Sequence, residues 1–164
     1  MTIENPRDTS VAVLVVVLGL LVGIAGPAAA GADAPVPAVN AQEGIGLKGY
    51  DPIAYFINRA PRQGSAQYSF FWKGITYRFA SGENLQRFKA DPEKYLPQYG
   101  GYCAYAISID RIADINPSRW AIVNGKLYLN NNFFSQSLWS LNKSARIISG
   151  DRNWSAYPKT TQAN

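Results

Sequence analysis

Two neighbouring segments alternate between apolar and polar residues and predict a β-hairpin. In residues 68–72 (YSFFW) the even-numbered positions share one apolar face, and in residues 75–79 (ITYRF) the odd-numbered positions do. Lys73-Gly74 lies between the two runs and predicts the turn. Each strand therefore has one face suited to burial.

A second hairpin has a clearer turn signal. Residues 120–123 (WAIV) and 126–129 (KLYL) flank Asn124-Gly125. That pair is favoured in type I′ turns, because both central residues of such a turn need a positive φ. We expect two strands joined by this turn.

Helical patterns follow each hairpin. Ser81 is placed to cap a helix in which Leu85 and Phe88 share one face. Asp91-Pro92 ends that helix, since a residue before proline avoids the α region. Asp91 is also placed to cap a short second helix that starts at Pro92.

The last pattern predicts one amphipathic helix from residue 134 to 148, ended by Gly150. Its expected buried positions recur at spacings of four and three: Phe134, Leu138, Leu141, Ala145 and Ile148. The order of elements predicts an α+β fold, a small single domain of two β-hairpins alternating with helices.

The first thirty residues have the pattern of a signal peptide. Residues 11–24 are apolar or glycine, Pro27 follows, and small residues occupy positions 28–32. An uncleaved anchor is the alternative, since residues 11–30 just suffice to span a bilayer. Either interpretation predicts an exported domain, periplasmic or extracellular. We expect a linker at residues 31–46, the domain at 47–157 and a tail at 158–164.

The amino-acid composition limits the kinds of functional site that the chain can form. The chain of 164 residues has no histidine and one cysteine, which argues against a histidine-based triad and leaves no partner for an internal disulfide. Its formal net charge is +5, but the basic residues are scattered rather than clustered as nucleic-acid binding requires. Instead of nucleic-acid binding, the net positive charge favours a weak attraction to anionic membrane surfaces.

Three segments carry a family resemblance. Residues 49–56 (GYDPIAYF) resemble the opening GYDPVAYF of exported YHS-domain proteins. Residues 79–95 (FASGENLQRFKADPEKY) and 98–105 (QYGGYCAY) are similar to later segments of that family, in the same order. The likeness covers about residues 47–154. It implies a small exported domain, and most proteins of this kind have no assigned role.

The same resemblance bears on metal binding. Related modules that handle heavy metals such as copper often carry cysteines at three positions, where this chain has Ala54, Ala80 and Asn84. A soft-metal site needs thiolates or imidazoles. Cys103 is therefore the only candidate metal ligand of this type, and the sequence requires no cofactor.

Each candidate site residue has two interpretations. Cys103 is a nucleophile, a redox sensor or a copper(I) ligand, or else a small core residue. Asp51 binds a ligand or acts as a general base, or it holds backbone N–H groups at an Asp-Pro turn. The tyrosines line a ligand pocket or pack in the core; the tentative pocket comprises Tyr50, Tyr55, Tyr102 and Tyr105 beside these two residues.

Three functions remain open from sequence alone. The first is a non-catalytic exported domain that binds a small ligand or a partner protein. The second is a copper- or heavy-metal-handling protein that uses Cys103. The third is an enzyme with Cys103 as nucleophile, which would lack an imidazole base. The first is favoured, with no nucleic-acid partner and with membrane contact only through an uncleaved N-terminal segment.

Overall fold

A computed structural model describes residues 35–160 of the chain. The predicted signal peptide or anchor lies outside the described residues. The strands are β1 (Val36–Pro37), β2 (Ala41–Gln42), β3 (Ile45–Gly46), β4 (Ser65–Trp72), β5 (Ile75–Phe79), β6 (Asn116–Val123), β7 (Lys126–Asn130) and β8 (Lys159–Thr160). The helices are α1 (Pro52–Ile57), α2 (Gly82–Ala90), α3 (Pro92–Tyr95), α4 (Ala104–Ser108), α5 (Phe133–Leu141) and α6 (Lys143–Ala156), with 3-10 turns at Leu47–Gly49 and Gln98–Gly101.

The first predicted hairpin is confirmed as β4 and β5. They pair antiparallel inside a four-stranded sheet of order β2-β3-β5-β4, in which β3 runs parallel to β5. Ile75, Tyr77 and Phe79 are buried against Ile53 and Phe88. The alternation of apolar and polar residues therefore predicted correctly which face of β5 is buried.

The second hairpin is confirmed as β6 and β7, which form a separate two-stranded sheet. Asn124 and Gly125 both have positive φ, 51° and 74°, as the type I′ turn requires. Leu127 and Leu129 are buried against Leu47 and Tyr55, and Tyr128 is buried against Tyr99 and Trp139, so this hairpin contributes to two clusters of the core.

The helix predicted after the first hairpin is confirmed as α2, whereas the cap predicted for the following helix, α3, is not. The Ser81 hydroxyl accepts a hydrogen bond from the Asn84 N–H at 3.2 Å, Phe88 is fully buried, and α2 ends before Asp91-Pro92. The predicted cap of α3 is wrong, because the Asp91 side chain makes no capping hydrogen bond. Its backbone (φ −155°, ψ 77°) departs from the extended conformation usual for an N-cap residue.

The single helix predicted over residues 134–148 is wrong in two respects. Asn142 (φ −146°, ψ 67°) interrupts it and caps α6 by accepting from the Ala145 N–H at 3.2 Å. All five positions expected to be buried are exposed: Phe134, Leu138, Leu141, Ala145 and Ile148. The buried side of α5 instead holds Ser135 and Trp139, because the Trp139 ring packs 5.3 Å from that of Tyr128.

Gly150 lies inside α6 rather than at its end. A Cβ atom at this position would lie 2.6 Å from the Tyr99 hydroxyl oxygen and 2.8 Å from its Cζ. The glycine is therefore required by close packing against Tyr99 rather than by helix termination.

The termini of the described chain meet. β1 pairs parallel with β8, through hydrogen bonds from the Val36 N–H to the Pro158 oxygen (2.9 Å) and from the Ala38 N–H to the Thr160 oxygen (3.0 Å). The predicted linker at 31–46 supplies β1, β2 and β3. The expected boundaries at residues 47 and 157 thus fall inside hydrogen-bonded structure.

The α+β class is confirmed: helices and mixed sheets share one small domain. Among residues 35–160, no helix has the length and apolar character needed to cross a membrane.

Candidate functional site

Asp51 occupies a structural position between α1 and α2. Its fully buried carboxylate accepts from the Ile53 N–H (2.8 Å), the Ala80 N–H (2.8 Å) and the Asn84 side-chain amide (2.6 Å). It caps α1 and ties that helix to the start of α2. Both carboxylate oxygens are thus engaged by protein donors.

Cys103 is 1% exposed and lies at the start of α4. Its sulfur accepts from the Asn131 N–H at 3.3 Å and lies 3.8 Å from the Asn130 side-chain oxygen. That oxygen also accepts from the Tyr105 N–H at 3.1 Å. The thiol therefore joins α4 to the end of β7 and does not face solvent.

The tyrosines of the tentative pocket lie in two separate places. Tyr55 is buried in the core beside Trp120 and donates from its hydroxyl to the Pro117 oxygen at 3.0 Å. Burial, together with nearby Tyr50 and Asp51, raises the pKa of Tyr55 well above its ordinary value. Tyr50 lies at an isolated bridge to Gln63.

Tyr102 and Tyr105 lie close to Cys103 in the chain and pack in a different cluster of the core, around Tyr128 and Trp139. Tyr102 packs 5.8 Å from the Trp154 ring, and burial raises its pKa. Tyr105 lies 5.0 Å beneath the guanidinium of Arg146. The structure thus separates Tyr102, Cys103 and Tyr105 from Tyr50, Asp51 and Tyr55, so these six residues do not line one common pocket.

A small apolar cavity is lined in part by residues of both 3-10 turns. Its volume is about 50 Å³, and it is lined by Val39, Leu47, Tyr77, Leu96, Pro97, Gly100 and Gly101. A water molecule occupies about 30 Å³ in the liquid. The cavity is therefore a packing gap and is too small for an organic ligand.

A larger open cleft lies between the end of α1 and the start of α2. Its volume is about 390 Å³, and it is lined by Ile57, Asn58, Arg62, Ala80, Ser81, Glu83, Asn84 and Arg87. Pockets that bind small molecules begin at about 300 Å³. The cleft is therefore large enough for a small metabolite.

The cleft carries a net positive charge. Arg87 donates to Glu83 at 2.7 Å, so these two charges offset each other. Within the described chain, the guanidinium of Arg62 has no hydrogen-bonding partner or ion pair. The first turn of α2 adds backbone N–H groups that lack partners within the helix, and the positive end of the helix dipole. The arrangement favours a small anion.

Two of the positions marked by the resemblance to metal-handling modules line this cleft. Ala80 and Asn84 form part of its wall, and Ala54 lies in the adjoining helix α1. Where such modules have thiols, this chain has a methyl group and an amide engaged by Asp51. Among residues 35–160, no three Cys, Asp or Glu side chains lie close enough to hold a metal ion together.

The sequence analysis did not single out Arg62 or Asn58. Both lie in an irregular segment between α1 and β4, which has no periodicity to mark it. The cleft forms because that segment folds back against α2, more than twenty residues further along the chain.

No protein-family model matches the chain, and neither curated proteins nor solved structures provide a match. The resemblance to exported YHS-domain proteins therefore stays a prediction.

Proposed function

We propose that this chain is an exported, non-catalytic domain that binds a small molecule bearing a carboxylate or phosphate group in the cleft between α1 and α2. The observation that carries the proposal is the unpaired guanidinium of Arg62 in a cleft of about 390 Å³. An arginine fork is well matched to a carboxylate or a phosphate, each of which it can bind through two hydrogen bonds.

The positions of the other polar groups support the same ligand class. The Asn58 amide and the first N–H groups of α2 can donate to further ligand oxygens. Ile57 and Ala80 add apolar wall for a short carbon skeleton. A metabolite with an acidic head and a short apolar part would therefore satisfy the cleft.

Binding without catalysis is favoured because the two reactive candidates have other partners. The Asp51 carboxylate accepts three hydrogen bonds from protein donors, so it lacks a free oxygen for proton abstraction. Cys103 is buried away from the cleft lining. The copper alternative is less favoured for the same reason, since it needs an accessible thiolate.

Isothermal titration calorimetry of the purified protein with succinate and with inorganic phosphate tests the proposal. We expect a single site, and binding at least about tenfold weaker in Arg62→Gln, because a charge-assisted hydrogen bond contributes about 1.5–3 kcal/mol. Lys126→Gln is the matched control, since it removes one exposed cation from the other hairpin.

Equal weakening in both variants would show that the net charge of the protein, rather than the cleft, attracts the anions. Absence of binding to either probe would contradict the proposed ligand class. Recovery of a chemically altered ligand after incubation would contradict the non-catalytic part of the proposal.

A further inference from the structure

Helices α5 and α6 expose large apolar side chains. The α5–α6 apolar surface comprises Phe133 (61% exposed), Phe134 (75%), Leu138 (42%), Leu141 (81%) and Ile148 (70%). Residues 134, 138 and 141 recur at spacings of four and three, so they share one face of α5. Exposed apolar groups clustered in this way mark interaction surfaces rather than ordinary solvent contact.

Packing fixes the outward direction of this face. Trp139 is fully buried on the opposite side of α5, and Ser135 lies beside it. The helix start is held by a capping box in which Asn132 and Ser135 exchange hydrogen bonds of 2.9 Å. Rotating α5 to bury Phe134 and Leu141 would expose Trp139, so the apolar surface is a fixed feature of the fold.

The segment that carries this surface is mostly basic. Residues 116–160 contain six basic residues and one acidic residue, which gives a net charge of +5. The single acid, Asp151, accepts a hydrogen bond from the Tyr99 hydroxyl at 3.0 Å. Arg119 lies 5.8 Å from the Phe133 ring, and Lys143, two residues after Leu141, is the exposed first residue of α6. Apolar side chains bordered by cations are typical of protein surfaces that lie on anionic lipid.

The start of the described chain lies near the end of α6. β1 directly follows the N-terminal part of the chain, with its apolar residues 11–24, and pairs with β8, which follows α6. The described chain therefore begins beside the strand that follows α6. An uncleaved anchor would be joined to the domain through β1, next to β8.

We propose that the α5–α6 apolar surface docks on an anionic phospholipid bilayer. Phe134, Leu138 and Leu141 enter the boundary between headgroups and acyl chains, while Lys143 and Arg119 contact lipid phosphates. This surface is distinct from the cleft between α1 and α2, so the domain can hold a small ligand while it lies on a membrane.

Environment-sensitive fluorescence of the full chain tests this surface directly. Leu141→Cys and Ile148→Cys each receive a nitrobenzoxadiazole label, with Phe71→Cys as the control, since Phe71 is 56% exposed but lies on β4. Cys103 is 1% exposed and is not expected to react in the folded protein. Vesicles of phosphatidylglycerol and phosphatidylcholine in equal parts should shift the emission of the first two labels to shorter wavelength and leave the third unchanged. Pure phosphatidylcholine vesicles should give a smaller shift.

A charge variant separates lipid docking from simple hydrophobic adsorption. Lys143→Gln should lower the apparent affinity for the anionic vesicles about fivefold, as expected for the loss of one cation near an anionic surface. Lys89→Gln, an exposed cation on α2, should change it little. Added salt should reduce the effect of the anionic lipid.

Three results would overturn the proposal. If the labels at residues 141 and 148 already emitted at short wavelength without vesicles, and increasingly so at higher protein concentration, a second copy would cover the surface. A shift without vesicles at every concentration would mean that the N-terminal segment of the same chain covers it. Equal shifts at all three labelled positions, or no shift at Leu141 and Ile148, would mean that these helices do not meet the bilayer.

Discussion

Replacement of Asp51 should destabilise the fold far more than replacement of an exposed aspartate. The carboxylate accepts from three donors at 2.6–2.8 Å and is fully buried. Asp51→Ala leaves these donors without an acceptor, and each unsatisfied buried group costs about 1–3 kcal/mol. Allowing for local rearrangement, we expect a loss of about 4 kcal/mol in the free energy of unfolding.

Asp51→Asn is a milder variant, whose stability can still be measured if the alanine variant fails to fold. An amide offers one acceptor oxygen, so in either orientation at least one of the three donors faces its NH2 group. We expect a loss of about 2 kcal/mol. The assay is guanidinium unfolding with linear extrapolation. Asp91→Ala is the control, because Asp91 is exposed and makes no capping hydrogen bond.

A double-mutant cycle with Asn84→Ala measures the link between α1 and α2. Because Asn84 donates to Asp51 at 2.6 Å, we expect a coupling energy of at least about 1 kcal/mol. If Asp51→Ala and Asp91→Ala changed the free energy of unfolding equally, within about 0.5 kcal/mol, the structural role given to Asp51 would be refuted.

Three further predictions concern Gly150, Cys103 and Tyr157. Gly150→Ala should destabilise by about 2 kcal/mol in guanidinium unfolding, because its Cβ would overlap the Tyr99 ring; stabilisation, as helix propensity alone predicts, would contradict the packing. Cys103 should react with Ellman's reagent only as the protein opens, and reaction at the rate of a free thiol would contradict its burial. Burial and a hydrogen bond to Asp110 raise the pKa of Tyr157 to about 12, so its contribution to stability should be lost as the pH rises from 10 to 12. The stability of Tyr157→Phe should therefore fall less steeply with pH, and an identical fall would refute the assignment.

The sign of the Tyr157 effect follows from linkage. Its pKa in the folded protein lies above the ordinary value of 10.0, so the folded state keeps the proton more tightly than the unfolded state. The contribution is complete below pH 10 and disappears as the folded group ionises. Ultraviolet titration of tyrosinate, compared between the wild type and Tyr157→Phe, measures the same pKa.

The hairpins could be predicted because their signals are local. Alternation fixes which face of β5 is buried, and Asn124-Gly125 fixes the turn between β6 and β7. Ser81 and Pro92 similarly determine where α2 begins and ends. In each case neighbouring residues supply both the pattern and its physical cause.

Helix orientation and the cleft could not be predicted in the same way. The apolar stripe from Phe134 to Ile148 has helical spacing, but spacing alone does not say which surface covers it. Trp139 decided the orientation of α5 through contact with Tyr128, a residue on another element. The cleft likewise depends on the approach of Arg62 to α2, which no local pattern records.

Nuclear magnetic resonance titration of the protein's backbone amides with succinate tests directly whether the cleft between α1 and α2 binds a small anion. We expect saturable shifts at Gly82, Asn84 and the segment 58–62, and Arg62→Gln should abolish them or raise the succinate concentration needed for half-saturation at least about tenfold. Shifts centred on Cys103, or the absence of any saturable shift in the cleft, would contradict the proposal that this cleft is the binding site.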